Sequence, residues 1–325
     1  MATRYGIKNN GGGNVKYLFG PVASRRLGLS LGVDLLGKKH CNLNCVYCEL
    51  GRTEGKALSN ERGLFVKTQD VITELEEFFK NGGKADVVTF SGAGEPTLAL
   101  NLKEMIEAAK KISPCKVAVL TNGVLLYMPE VRDALSGADI VVPSFDAATK
   151  STFLKVNRPA VGVDFDLMLQ GLKDFCAGYK GRIFLEILLV DGINDSFTEL
   201  FEMRKFINNL ENIEKIQLNT VARAGAEEYA RPVDADAAKR ACLILGPKAE
   251  AVSGYSGARI EAQEEELKSI VYESARLRPV SAEEVSAMLN VNQSEAQELL
   301  WELEYDGLVD KTVREGKEFF LGKHA

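Results

Sequence analysis

Three cysteines, Cys41, Cys45 and Cys48, lie within eight residues of one another, and no other feature of the chain narrows its fold and chemistry as much. The segment reads His40-Cys41-Asn42-Leu43-Asn44-Cys45-Val46-Tyr47-Cys48, a C-x3-C-x2-C spacing. Thiolates are soft, strongly bonding ligands of zinc and of iron–sulfur clusters, and three on one short loop can wrap a single metal centre. A cube of four irons ordinarily takes four cysteine ligands, so three leave one iron open to bind and reduce a small molecule. Structural zinc is the competing reading, with His40 or a distant cysteine as fourth ligand. The adjacency of His40 to Cys41 makes shared tetrahedral coordination awkward. Cys115, Cys176 and Cys242 are far apart in sequence and are read as buried filler. The only histidines are His40 and His324, which excludes chemistry built on several His ligands.

The rest of the composition is that of a globular protein, with 46% hydrophobic and 26% charged residues in 325. No apolar run approaches the roughly 20 residues of a membrane-spanning helix. The first residues, MATRYGIKNNGGGN, lack the apolar core of a signal peptide. A cytoplasmic location is therefore expected. The formal net charge of -6 argues against nucleic-acid binding by bulk charge. Arg25, Arg26, Lys38 and Lys39 flank the cysteine segment and are read as solvated surface charge. No GxxxxGK[ST] phosphate loop and no HExxH pair occurs.

Residues 1–16 are polar and glycine-rich, as expected for a flexible N-terminal tail. From about residue 30 to 220 short, almost continuously apolar runs alternate with helical patterns. The runs are Ser30–Leu36, Asp86–Ser91, Lys116–Thr121, Asp139–Ser144, Arg182–Val190 and Lys215–Thr220. Such runs suit parallel strands covered on both faces. Between them, Val71, Ile72, Leu75, Phe78 and Phe79 share one helical face, with Thr68 expected to cap its start. Six βα units in series predict an α/β fold, a partial (β/α)6 TIM-like barrel of parallel strands over residues 17–261, with a doubly wound sheet as the alternative.

The ends of the expected strands carry polar or glycine-rich motifs, where α/β barrels bind ligands. Ser91-Gly-Ala-Gly94-Glu95-Pro96 follows the second, Thr121-Asn122-Gly123 the third and Ser144-Phe145-Asp146 the fourth. Read alone, each is ordinary turn and cap chemistry. Asn157-Arg158-Pro159, Gly192-Ile193-Asn194-Asp195, Asn219-Thr220 and Arg223 are candidates for the substrate end of a site.

The cysteine spacing, with aromatic Tyr47 before the last cysteine, resembles the signature of the radical S-adenosylmethionine (SAM) superfamily. The resemblance implies a 4Fe-4S cluster on Cys41, Cys45 and Cys48, whose open iron chelates SAM. It implies reductive cleavage of SAM to a 5′-deoxyadenosyl radical that abstracts a substrate hydrogen, and a ferredoxin- or flavodoxin-type electron donor. Gly94-Glu95 is similar to the family's GGE motif, which binds the SAM amino group, with Ala93 or Gly94 in place of one glycine. Thr121, Asn122, Ser144 and Asp146 match positions that contact the methionine or ribose part of SAM. The stretch Phe19-Gly-Pro-Val-Ala-Ser24-Arg25-Arg26-Leu-Gly28, with SGAGEPTL, TNGVLL, VNRP and DGINDS, looks like the group related to the tRNA wyosine-synthesis enzyme. That likeness covers roughly residues 17–225. It departs from that enzyme in having no cysteine in residues 1–40 for a second cluster. The implied substrate is a tRNA base, a peptide or a small molecule.

Residues 262–325 read helix, turn, helix and hairpin, a winged-helix-like domain. Such a domain ordinarily suggests DNA binding through its second helix. Here the segment holds 7 Lys and Arg against 14 Asp and Glu, and its second helix, QSEAQELLWELEY, has four Glu and no basic residue. Phosphate would be repelled, so DNA is an unlikely partner and a packing, dimerising or peptide-binding role is expected, with Trp301 in the core. A metal- or redox-sensing regulator is the alternative function, and it predicts a basic recognition helix.

Overall fold

The structure is a computed structural model that describes residues 17–24, 26–223, 225–252, 264–276, 278–289, 291–314 and 316–323. The N-terminal tail over 1–16, Arg25 and the boundary expected at 261–262 lie outside the described residues. In chain order the elements of the first part are β1 (Leu18–Ser24), β2 (Gly28–Val33), α1 (Thr68–Lys80), β3 (Val87–Phe90), α2 (Leu102–Ile112), β4 (Lys116–Thr121), α3 (Pro129–Leu135) and β5 (Ile140–Pro143). They continue with α4 (Lys150–Val156), α5 (Phe165–Gly178), β6 (Arg182–Leu189), α6 (Phe197–Ile207), β7 (Ile213–Thr220), α7 (Ala235–Leu245) and β8 (Ala249–Ala251).

The strands pair in chain order, β1 to β8, without a reversal. A doubly wound sheet reverses its strand order at a switch point; a barrel does not. All pairs from β2 onward are parallel, and only β1 runs antiparallel, to β2. The molecule is thus a partial TIM-like barrel whose six central parallel strands are those expected, flanked by β1 and β8, which no sequence pattern announces. Alternate strand residues explain the unbroken apolar runs. Val88, Val117, Val119, Val141, Ile183 and Leu185 face the helices in the main core. Their neighbours Val87, Ala118, Ile140, Val142 and Phe184 form a separate cluster that plugs the barrel interior. Above that plug the interior turns polar, with the Ser30 and Thr89 hydroxyls 2.7 Å apart.

Two local expectations shift. β2 stops at Val33 because buried Asp34 accepts from Leu36 N and Gly37 N at 3.0 and 3.1 Å, turning the chain. α1 is capped at Lys67 without a side-chain bond, and the Thr68 hydroxyl instead accepts from Asn101 Nδ2 at 2.9 Å.

The C-terminal part contains α8 (Glu264–Ala275), α9 (Ala282–Leu289), α10 (Gln293–Tyr305) and an antiparallel hairpin, β9 (Val309–Arg314) with β10 (Lys317–Gly322). Asn292 and Glu295 form a reciprocal cap at the start of α10. The part shares its core with the barrel: Val271, Val285, Leu300, Leu303 and Phe320 pack in one cluster with Ala23 and Leu29. The carbonyls of the β1 edge are covered by Arg276 on Leu18 O, Ser274 on Pro21 O and Arg278 on Ala23 O, at 3.0, 3.2 and 3.4 Å. An open sheet edge is thereby masked. Trp301 is 49% exposed rather than in the core. α10 buries Ala296, Leu300 and Leu303, and Trp301 falls one residue off that face, its Nε1 3.2 Å from Glu318.

A shared core predicts joint unfolding. Phe320→Ala removes a fully buried ring and should cost about 3–5 kcal/mol. The denaturant midpoint read from Trp301 fluorescence and that read from far-UV circular dichroism should move together. A shift in the fluorescence midpoint alone would mean that the C-terminal part unfolds as an independent unit.

Candidate functional site

The cysteine loop leaves the top of β2 and is fixed from both sides by backbone bonds. His40 N donates to Ala93 O at 3.0 Å, and Glu95 N donates to His40 O at 3.1 Å. This clasp needs Gly94: a Cβ there would collide with the His40 carbonyl oxygen. Asp34, at the loop's root, also accepts from Ala93 N at 3.2 Å, so one buried carboxylate organises both segments. Farther along, Cys41 N bonds Ala57 O at 2.9 Å, Asn44 N bonds Asn157 O at 3.0 Å and Val46 N bonds Val156 O at 2.9 Å. The fully buried Val46 and nearly buried Leu43 anchor the loop in the core.

All three cysteines are free and partly buried, and each sulfur meets an N–H donor from a different element. Asn122 Nδ2 lies 3.6 Å from Cys41 Sγ, Asn157 Nδ2 lies 3.4 Å from Cys45 Sγ, and Lys39 Nζ lies 3.6 Å from Cys48 Sγ. Leu43 N adds a backbone donor to Cys41 Sγ at 3.4 Å. Desolvation by the surrounding loops pushes the Cys41 thiol up to about 12, and Cys45 well above the usual thiol range. Metal loading therefore has to displace protons from these thiols. The His40 ring packs against Phe65 in a tilted arrangement, centroids 4.6 Å apart, and burial lowers its pKa. Among the described residues no group of three or more His, Cys, Asp and Glu side chains surrounds a single-ion position.

Glu95 is buried beside this loop, at the end of the segment after β3. Its Oε1 accepts from Thr97 N, Thr97 Oγ1 and Thr121 Oγ1 at 3.0, 2.7 and 2.7 Å, and its Oε2 from Asn122 N at 2.7 Å. Burial raises its pKa, and these four donors oppose the rise. Thr121 and Asn122, at the top of β4, thus reach Glu95 together, while Asn122 Nδ2 also donates to Asn42 Oδ1 at 2.6 Å. Ser144 stands half-buried after β5, its backbone N on Thr121 O at 2.9 Å. Asp146 is nearly buried and engaged at both oxygens: its Oδ2 accepts from Asn157 Nδ2 at 2.9 Å and from the Tyr47 hydroxyl, and its Oδ1 accepts from Leu188 N at 2.9 Å. Burial pushes Asp146 up to about 6 and, first among its causes, lifts Tyr47 well above the usual phenol range. The loop tops of β2 to β5 thus bring Tyr47, Glu95, Thr121, Asn122 and Asp146 into one hydrogen-bonded set with the cysteines. Gly94 belongs to it through backbone packing, and Ser144 through its backbone N alone.

Below the loop the barrel encloses a cavity of about 340 Å³ whose lining includes Tyr47, Cys48, Glu49, Glu186, Asn219 and Arg223. Arg26 reaches into it and pairs with Glu186 at 2.5 Å, so this arginine is not a solvated surface charge. Arg223 is buried, grips Glu49 at 2.8 and 3.0 Å and pairs with Glu284 of α9. Arg278, from the C-terminal part, completes this wall. Two candidates for the substrate end lie elsewhere: Arg158 spans Asn44 O and Glu227, and fully buried Asn194 braces Val190 N, Leu188 O and Asp146 O. Sequence reasoning missed Lys39, Glu49, Glu186 and Glu284, and it placed Asn157, inside the VNRP motif, at the substrate end rather than beside Cys45.

Residues 38–204 match the radical SAM superfamily. The chain is 34% identical to the GTPase Obg of Brachyspira hyodysenteriae over 93% of its own length and 44% of that protein's. It is 33% identical to a UPF0026 protein of Helicobacter pylori over 86% of this chain and 90% of that protein. Among solved structures, TYW1 with a lysine–pyruvate adduct bound shares the fold at 16% identity and a TM-score of 0.51, over 70% of this chain and 75% of that one.

Because Gly94 leaves no room for a side chain, Gly94→Ala should force the His40 carbonyl away. The expected loss is about 1–3 kcal/mol, the range for overpacking, read as a lower denaturant midpoint. An unchanged midpoint would mean that the clasp is loose.

Proposed function

This chain belongs to the radical SAM superfamily, an enzyme family that works with a 4Fe-4S cluster and SAM, and on that premise we propose that Cys41, Cys45 and Cys48 hold the cluster beside a SAM site built around Glu95. The supporting observation is that three thiols lie on one loop, each met by an N–H donor, and that backbone bonds clasp this loop to the segment that carries the buried carboxylate of Glu95. When bound, the cluster supplies the electron that cleaves SAM to methionine and a 5′-deoxyadenosyl radical, which takes a hydrogen atom from the substrate.

The donor set fits such a group. Soft thiolates suit iron and sulfide, whereas one tetrahedral zinc would need its ligands drawn to about 2.0–2.3 Å from a common point. Glu95 Oε2 accepts a single bond, from Asn122 N, and keeps acceptor capacity for an ammonium group such as that of SAM. Thr97, Thr121 and Asn122 hold that carboxylate in place, as preorganised sites require. Tyr47 and Asp146 lock the wall between the cysteine loop and β6, and half-buried Ser144, after β5, is assigned to the ribose or methionine end of SAM. The substrate would enter the 340 Å³ cavity and present its hydrogen near Cys48. Its paired charges suit a compact polar group, whether free or carried on a tRNA base or peptide. A ferredoxin- or flavodoxin-type protein is the proposed electron donor. The sensor alternative loses ground because α10 carries four Glu and no basic residue.

Reconstituted without oxygen and given dithionite and SAM, the protein should form 5′-deoxyadenosine, and Cys45→Ala should form none above background. Glu95→Gln should weaken SAM binding by tenfold or more, the loss expected for a charged hydrogen bond, measured by calorimetry on iron-loaded protein. Equal 5′-deoxyadenosine from Cys45→Ala would refute the assignment of the thiols. Unchanged affinity in Glu95→Gln would remove Glu95 from the SAM site.

A further inference from the structure

We propose that Lys39, Asn122 and Asn157 form a donor shell, one side-chain N–H group per cysteine sulfur, that raises the reduction potential of the cluster, with Lys39 its strongest member. The proposal rests on the reading of Cys41, Cys45 and Cys48 as cluster ligands. Lys39 was grouped with the solvated basic residues by sequence, yet its ammonium is directed inward. It lies 3.6 Å from Cys48 Sγ, donates to Leu50 O at 3.1 Å and also donates to Gly51 O. Three acceptors use all three ammonium protons. Among the described residues no carboxylate pairs with it, so its charge is turned toward sulfur without an anion to cancel it.

The two asparagines are oriented just as firmly. The amide group of Asn122 that faces Cys41 also donates to Asn42 Oδ1 at 2.6 Å, and its Oδ1 accepts from Val124 N at 3.1 Å. The amide group of Asn157 that faces Cys45 also donates to Asp146 Oδ2 at 2.9 Å. None of the three donors can turn away without losing a second bond. They stand against two carboxylates, Glu95 near Cys41 and Asp146 near Cys45, whose negative fields act on the same sulfurs.

The sign follows from charge. Reduction adds one electron to the cluster, and hydrogen bonds and positive charge at the sulfurs stabilise the reduced state more than the oxidised one. Carboxylates oppose this. Lys39 carries a full charge while each amide offers only a dipole, so it should contribute most.

The test is an electron paramagnetic resonance redox titration of iron-loaded Lys39→Gln, with iron content measured in parallel. The expected result is full iron with reduction at least tenfold less favourable, a fall of 59 mV or more for one electron. Lys38→Gln, which removes an equal charge from the exposed neighbouring residue, should leave the potential in place. Equal iron and equal potential in wild type and Lys39→Gln would overturn the donor shell while leaving the cluster intact. A wild-type protein that takes up no iron–sulfur cluster would instead overturn the reading on which the shell rests. If Lys39→Gln loses iron, Asn122→Ala carries the test: a smaller fall in the same direction supports the proposal, and an unmoved potential overturns it.

Discussion

The two backbone hydrogen bonds between His40 and the Ala93–Glu95 segment fix the separation of the cysteine loop from the carboxylate at the top of β3. They join segments distant in sequence and are made by peptide groups, so no rotamer can loosen them. Gly94 permits the approach and Asp34 steadies it from beneath, bonding Leu36 N, Gly37 N and Ala93 N. Everything chemically active is placed relative to this clasp. Cys41 follows His40 directly, Glu95 follows Gly94 directly, and Asn122 touches both Glu95 and Cys41.

Around that fixed point the barrel divides its interior by depth. Apolar side chains plug the lower layer, while Ser30, Thr89, Glu186 and Asn219 form the polar layer above. Charges buried there come in pairs, Arg26 with Glu186 and Arg223 with Glu49 and Glu284, as burial in low dielectric demands. The last of these partners comes from α9. Arg314 of β9 also donates to Arg223 O and Ala230 O. The C-terminal part is therefore joined both to the β1 edge and to the loop after β7.

Much of this was legible in the sequence because it is written locally. Runs such as Lys116–Thr121 are apolar on both faces and surface as strands. The cysteine triplet and Glu95 stand out because thiols and glycine-flanked carboxylates at strand ends are chemically costly to place without purpose. β1 was hidden by Gly20-Pro21 in its middle, where the register shifts between Phe19 and Val22, and β8 by having only three residues and no β-branched side chain. Asn157 and Glu284 act over 112 and 61 positions, and no periodicity reports such distances. Lys39 failed for a different reason. A lysine beside a polar loop ordinarily points to water, and only the positions of Leu50 O and Gly51 O reverse that.

The most direct test of the account is Mössbauer spectroscopy on anaerobically reconstituted, iron-57-labelled protein, recorded before and after SAM is added. A cluster held by three thiolates has one iron subsite without a cysteine, and the account predicts that SAM alters the spectrum of that subsite alone. Iron subsites that all ignore SAM, or a colourless protein carrying zinc on Cys41, Cys45 and Cys48, would contradict it.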